Sequence, residues 1–234
     1  MQIYQQLINK VIIELGLRKV KGSDISDEQH ELLATLSPII TISRDPGSGG
    51  KPIAQMVAKH LGYTFYDQRL VDEIAHSAKL RKSLMSQVDE KGRSLMTDFV
   101  HTLFNPDYVS DVDYMRHLCK VVLGIAYKGK AVILGRGANF ITPSASGLRV
   151  RITAPWQVRL RRAITYEHLS PEKAEKVLKL TEEDRKEFVK QYFGYSIADP
   201  KHYDIILNTT FYSIEQASRV IVTAFRQKFT QGKM

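Results

Sequence analysis

The feature that most constrains this chain is a glycine-rich turn between a strand-like segment and a helical one. Pro38–Ser43 is short, apolar and β-branched, and the turn after it contains Gly47-Ser-Gly-Gly-Lys51 before a helical pattern begins. Glycines let consecutive backbone N–H groups converge on an anion, and a helix that starts there adds its unpaired donors and positive dipole end. This order of strand, turn and helix predicts a phosphate-binding loop, with an ordinary glycine-rich turn as the alternative.

The residues expected to bind the nucleotide donor are those of the turn and the first helical positions: Gly47, Ser48, Gly49, Gly50, Lys51 and Pro52. Lys51 would add a full positive charge near the β and γ phosphates. Pro52 suits the start of a helix, where a missing N–H costs nothing. Two positions depart from the Walker A pattern, because Asp45 stands where its first glycine would fall and Pro52 replaces the hydroxyl residue that often holds magnesium.

Strand-like and helix-like segments alternate along the rest of the chain, which favours a parallel sheet covered on both faces. We therefore predict an α/β domain over residues 37–234, with the three-layer α/β/α architecture of a P-loop NTPase. Strands are predicted at Pro38–Ser43, Tyr63–Tyr66, Ala131–Leu134, Leu148–Thr153 and Tyr203–Leu207, and helices at Ile53–Leu61, Val71–Ala78, after Pro155, after Ser170 and after Ser213.

Two helical regions are expected outside this core pattern. Residues 1–36 are predicted to form a two-helix extension, because apolar residues recur there at helical spacing and Ser26-Asp-Glu-Gln29 is typical of a capping box. Packing or dimerisation is the role we expect for it. Residues 82–128 have a helical pattern without a clear strand, which predicts an insertion on the acceptor side that could cover a substrate.

The composition favours a small phosphorylated partner. A net charge of +9 and a pI of about 9.5 suit polyanions. The chain has no interleaved aromatic array of the kind that stacks bases, so the pattern argues against nucleic acid.

No signal peptide is recognised, and no apolar run approaches the roughly 18 residues of a membrane span. The single cysteine, Cys119, excludes an internal disulfide. We expect a cytoplasmic protein without membrane contact, in which Cys119 is part of the core.

Several segments, in order along the chain, resemble the cytidylate kinase-like family. The resemblance covers residues 38–229. The segments that carry it are Ile42–Ala54, Leu61–Asp67, Val132–Gly137, Arg151–Pro155 with Arg159 and Arg162, Glu182–Arg185, and Asp199–Asn208.

This resemblance implies an ATP-dependent phosphotransferase that uses Mg²⁺ and acts on a nucleoside monophosphate or similar small acceptor. It implies that Arg159, Arg162 and Arg185, in a lid region at residues 156–192, contact the phosphates and act with Lys51 in catalysis. Without the resemblance, a solvated basic helix face would explain these arginines. Arg136, at the carboxyl end of a strand, is expected to bind the acceptor phosphate bidentately. Arg44 also matches the family, which implies a substrate-binding role for it; pairing with a carboxylate is the alternative.

Asp67 ends the second predicted strand and is the expected ligand of magnesium or of acceptor hydroxyls, with a helix N-cap as the alternative. Gly137 departs from cytidylate kinases, which carry an aspartate directly after the arginine, and Ile53 removes a hydroxyl that related kinases usually supply. Two other functions therefore stay open. One is a nucleotide-binding regulatory protein with little turnover, and the other is a P-loop kinase for a non-nucleotide small molecule.

Overall fold

The computed structural model describes residues 37–76 and 111–230. Two predicted regions lie outside these ranges. They are the extension at residues 1–36, with the dimerisation role expected for it, and residues 82–110 of the insertion. Within them, five strands form one fully parallel sheet in the order β2-β3-β1-β4-β5. The strands are β1 Ile39–Arg44, β2 Thr64–Tyr66, β3 Ala131–Leu134, β4 Gly147–Thr153 and β5 Ile205–Asn208.

Helices connect the strands and cover the sheet. The helices within the described ranges are α1 Gly50–Leu61, α2 Gln68–His76, α3 Asp111–Lys128, α4 Ala138–Ile141, α5 Trp156–Glu167, α6 Pro171–Phe193 and α7 Ile214–Thr230. Short 3₁₀ turns lie at Ser144–Ser146 and Pro200–His202.

Side chains of the central strands alternate between the two faces of the sheet, as the period of a strand requires. Ile40 and Ile42 pack into an apolar cluster that includes residues of α1 and α7. Ile39 packs into a second cluster, which includes residues of α3 and the end of α6. This confirms the three-layer α/β/α architecture predicted from the sequence.

The local signals that the sequence carries are present in the structure. The Ser170 hydroxyl accepts a 3.3 Å hydrogen bond from the Lys173 N–H at the start of α6. Ser213 and Gln216 form a reciprocal capping box at the start of α7. The predicted strand Ala131–Leu134 has the same bounds in the structure. Helix α1 begins three residues earlier than predicted, since the Gly49 carbonyl already accepts a 3.1 Å hydrogen bond from the Ile53 N–H.

Candidate active site

The glycine-rich turn connects β1, the central strand of the sheet, to α1. Gly47 and Gly49 have φ angles of 75° and 82°, which glycine adopts readily. A Cβ on Gly47 would lie 2.9 Å from the carbonyl oxygen of Arg159, so the turn also packs too tightly against α5 for a side chain there. The Ser48 hydroxyl is buried and donates to the Asp45 carbonyl at 2.8 Å, which closes the turn on itself. The turn therefore has a fixed shape before the first amides of α1.

Asp45, the departure from the Walker A pattern, is bound to the neighbouring strand. Its two carboxylate oxygens accept hydrogen bonds of 2.7 Å from Arg151 Nη2 and from the Thr153 hydroxyl, both on β4. The negative charge of Asp45 is thereby compensated within the sheet. Its presence in the turn is compatible with anion binding, because an arginine offsets the charge.

Arg159 and Arg162, on one side of α5, bind the backbone of the turn. Arg159 is buried, and its guanidinium donates to the Ala154 carbonyl at 2.9 Å and to the Pro46 carbonyl at 3.4 Å. Arg162 donates to the Ser48 carbonyl at 3.2 Å and to the hydroxyl and carbonyl of Thr209. These bonds stabilise the turn from the α5 side. Contact of the two arginines with phosphates stays a prediction.

Glu182 links the two helices of the predicted lid region. Its carboxylate accepts a hydrogen bond of 2.8 Å from Arg159 Nη1 and forms an ion pair of 2.7 Å with Lys186. These cations, and hydrogen bonds from them, hold the pKa of Glu182 below its usual range although burial alone would raise it. The glutamate therefore fixes α6 to α5 through an arginine that also contacts the turn.

Arg44, Arg136 and Arg185 gather at the carboxyl edge of the sheet. Arg185, on α6, donates a 3.0 Å hydrogen bond to the Arg44 carbonyl. Burial, and then the positive charges of Arg185 and Arg136, lower the pKa of Arg44 from 12.5 to about 9. Burial is also the main cause of the lowered pKa of Arg185. An anion between these three groups would relieve their mutual repulsion, so the cluster is suited to bind a phosphate.

Asp72 orients Arg136. Arg136 lies in a left-handed turn after β3, with φ of 53°, and its Nε donates to Asp72 Oδ1 at 2.8 Å while its Nη2 binds the other carboxylate oxygen. Its Cζ also lies 5.4 Å from the ring centre of Phe188. The bidentate pair fixes the plane of the guanidinium next to the cluster. Sequence reasoning missed Asp72. The available signal was an acidic residue on an amphipathic helix, five positions after Asp67.

Lys51 and Asp67 form an ion pair. Lys51 Nζ lies 2.8 Å from Asp67 Oδ2, and the other oxygen of Asp67 accepts a 3.0 Å hydrogen bond from the Leu70 N–H. The hydrogen bond from Lys51 is the main cause that lowers the pKa of Asp67. Asp67 therefore caps α2, as the alternative interpretation predicted, and its role toward magnesium or an acceptor stays a prediction.

The residues present suit Mg²⁺ only as a partner of bound phosphates. Among the described residues, no three histidine, cysteine or acidic side chains are grouped in a way that could hold a metal. Mg²⁺ commonly keeps several waters and takes one or two carboxylates together with substrate phosphates. Asp67 would supply that carboxylate once Lys51 turned from it toward a phosphate.

Two adjoining clefts open along this edge, and both are lined by Arg44 and Gln68. One has a volume of about 520 Å³ and also includes Lys51, Asp67 and Asp72. The other has a volume of about 340 Å³ and extends along α6; the three arginines, Gly137, Asn139, Phe140 and Phe188 are among the residues that line it. The clefts thus bring Lys51, at the start of α1, next to the arginine cluster.

Gly137 has no room for a side chain. Its φ is 61°, and a Cβ there would lie 2.3 Å from Cε2 of Phe193. The ring of Phe193 stacks on Phe140 at a centroid distance of 5.1 Å. An aspartate at this position would require the Phe193 ring to move, so the packing of this chain suits glycine where cytidylate kinases carry an aspartate.

Other residues singled out in the sequence have packing roles. Cys119 and Ile53 are buried, and burial raises the pKa of the Cys119 thiol to about 12. Trp156 packs against a small apolar cluster between α5 and α6, and its ring lies 5.2 Å from Arg159 Cζ. The burial of Cys119 confirms its predicted core role.

Comparisons with known proteins show which family this chain is similar to. Residues 39–211 match the cytidylate kinase-like family. A cytidylate kinase of Staphylothermus marinus is 25% identical over 192 residues, which cover 82% of this chain and 97% of that protein. One of Pyrococcus horikoshii is 27% identical over 187 residues, which cover 80% of this chain and 87% of that protein.

A solved structure supports the fold. An uncharacterized protein from Eubacterium ventriosum superposes with a TM-score of 0.56 at 19% identity, covering 81% of this chain and 98% of that one. At this identity the likeness concerns the fold alone.

Among the helices of residues 37–76 and 111–230, none combines the length and apolarity that crossing a bilayer requires.

Proposed function

We propose, on the premise that this chain belongs to the cytidylate kinase-like family, that it transfers the γ-phosphoryl group of ATP to a nucleoside monophosphate or a similar small acceptor. The observation that carries the proposal is the pair of adjoining clefts. Lys51, which directly follows the glycine-rich turn, lines one cleft, Arg136 and Arg185 line the other, and Arg44 lines both.

Phosphoryl transfer requires mainly that a protein position two phosphates and offset the charge on the transferring oxygens. The amides at the start of α1 and Lys51 bind the donor in this proposal. Arg136 holds the acceptor phosphate, while Arg44 and Arg185 lie between the two. Mg²⁺, when bound with ATP, supplies further neutralisation of the donor phosphates.

In the transfer step, an oxygen of the acceptor phosphate bonds to the γ-phosphorus as the bond to the bridging oxygen of the β-phosphate breaks. The arginine cluster is suited to this step, because burial makes its charges interact more strongly than they would in water.

The proposal is tested by incubating the purified protein with ATP, Mg²⁺ and each of the common nucleoside monophosphates, and measuring diphosphate products. Lys51→Met should lower the rate at least about 100-fold, since it removes a charge next to the transferring phosphoryl group. Lys59→Met is the matched control, because Lys59 is an exposed lysine on the same helix. No diphosphate from any acceptor, with folded protein, contradicts the assignment.

A second candidate is a kinase for a non-nucleotide small molecule. The observation that favours it is the blocked position at Gly137, where Phe193 leaves no space for the aspartate of cytidylate kinases. An untargeted metabolite screen with labelled ATP separates the two candidates. A rise in melting temperature with ATP but no labelled product would instead favour a regulatory protein.

A further inference from the structure

Asn139 has a buried side-chain amide nitrogen that finds no hydrogen-bond partner within the described protein. It lies on α4, directly after the turn that carries Arg136, and it is 8% exposed. Its Nδ2 is buried without a hydrogen bond. Among the described residues that line the 340 Å³ cleft, Asn139 alone has a buried side-chain polar atom in this condition.

An unsatisfied buried donor is costly, and most buried polar groups are paired. Asn139 is therefore a candidate to receive its partner from a ligand in the cleft it lines. The terminal torsion of asparagine is broad, so a modest rotation would turn the amide into that space.

The rest of the cleft indicates the chemistry of such a ligand. Arg44, Arg136 and Arg185 provide the cationic part, and Phe140 and Phe188 provide aromatic walls. Phe140 is already stacked with Phe193 and Tyr195, so a planar group in the cleft would meet these rings edge to face, an arrangement that aromatic pairs also favour. A ligand that suits the arginines, the aromatic walls and the Asn139 amide has an anionic phosphate, a planar ring and a carbonyl oxygen on that ring.

We infer that Asn139 determines acceptor specificity by donating a hydrogen bond from its amide to a carbonyl oxygen on the base of a nucleoside monophosphate. The inference rests on the proposed function and names what its acceptor site reads. The phosphate binds at the arginine cluster, the base lies against the aromatic walls, and Asn139 contacts the edge of the base.

Equilibrium binding tests this with two ligands that differ by the base. Uridine, cytidine and guanosine monophosphates each carry a carbonyl oxygen on the base, whereas ribose 5-phosphate has the same phosphate and sugar without a base. Asn139→Asp keeps the shape of the side chain but removes the donor, and Asn139→Ala removes both. Isothermal titration of the wild type and both variants separates the base from the phosphate.

The expected result is that each Asn139 variant weakens the best-bound nucleotide about 10-fold or more. Binding of ribose 5-phosphate should change less than about 3-fold in Asn139→Ala. In Asn139→Asp, the added negative charge should weaken both ligands by the same factor, in addition to the loss that is specific to the nucleotide. Gln227→Glu is the matched control, because it makes the same amide-to-carboxylate change at an exposed position of α7. It should leave both affinities unaltered.

The inference is overturned if none of the three nucleotides binds the folded wild type, or if the variants weaken nucleotide and ribose 5-phosphate equally. If Asn139→Asp does not fold, Asn139→Ala decides. If neither folds, the wild type is titrated with adenosine monophosphate, whose base carries no carbonyl oxygen. Tighter binding of the carbonyl-bearing nucleotides than of adenosine monophosphate then supports the inference, and equal affinity refutes it. Asn139-dependent binding without turnover would refute the proposed kinase activity and leave this inference standing. Turnover together with binding that does not depend on Asn139 would refute this inference and leave the proposed kinase activity standing.

Discussion

The Asp45 carboxylate accepts a 2.7 Å hydrogen bond from Arg151 Nη2, across residues that are 106 positions apart in the chain. Both side chains are largely buried, at 14% and 10% exposed. The acidic residue in the glycine-rich turn therefore fastens that turn to β4.

Asp45→Asn should reduce the free energy of unfolding by about 1–3 kcal/mol, because it leaves a buried guanidinium without its carboxylate. Urea unfolding at neutral pH measures the change. Glu175→Gln is the matched control, since it breaks an exposed ion pair with Lys179 and should cost below about 0.5 kcal/mol. Equal effects of the two substitutions would argue against a supporting role for Asp45.

The Lys51–Asp67 pair should make stability depend on pH in the acid range. The pKa of Asp67 is lowered in the folded protein, so its contribution is present above the ordinary carboxyl pKa of about 3.9 and is lost as the pH falls through the lower folded value. Asp67→Asn keeps a good helix cap for α2 and removes only the charge. The difference in unfolding free energy should be below about 1 kcal/mol, because Lys51 is 59% exposed.

Urea unfolding of the wild type and Asp67→Asn across this pH range tests the expectation. The difference between them should be constant at neutral and mildly acid pH and should shrink as Asp67 becomes protonated. A difference that persists undiminished at the most acid pH would mean that the charge is not its source.

Arg136→Lys should weaken binding of the acceptor about 10-fold, because an ammonium group cannot reproduce the bidentate geometry that Asp72 orients. Titration of the acceptor at saturating ATP measures this as a rise in KM. Arg161→Lys is the control, since Arg161 is exposed on α5 and the same change should have no effect there. Unchanged acceptor affinity in Arg136→Lys would remove Arg136 from the acceptor site.

Gly137→Asp should destabilise the protein, although it restores the residue of cytidylate kinases. Steric overlap with Phe193, together with the left-handed backbone, should cost about 2–3 kcal/mol. Thermal or urea unfolding gives the value. The double variant Gly137→Asp with Phe193→Ala should lose less than the sum of the two single changes, and simple additivity would show that the two side chains do not compete for space.

Local signals made much of the fold predictable. The β-branched run, the glycine-rich turn, the Ser170 cap and the Ser213–Gln216 box each act within a few residues, and the structure contains all of them. Helix and strand starts shifted by up to three residues where a cap, such as Gly49, extended an element beyond its apolar pattern.

The partners of the charged residues were not predictable in this way. The sequence indicated that Arg159 and Arg162 share a helix face, but their bonds to the Pro46 and Ser48 carbonyls depend on how α5 crosses the turn. Asp72 was missed as the partner of Arg136 because the two residues lie 64 positions apart.

The sequence by itself determined that this chain has a glycine-rich turn between a strand and a helix in a parallel α/β sheet, because backbone conformation and apolar period are local properties. Only the tertiary structure decided that Asp45 faces Arg151, that Phe193 blocks position 137, and that the Asn139 amide is buried without a partner. Those contacts depend on the strand order, which places β4 next to β1, and on the packing of α6 against the turn after β3. Distant side chains meet only when the whole sheet and its helices have assembled.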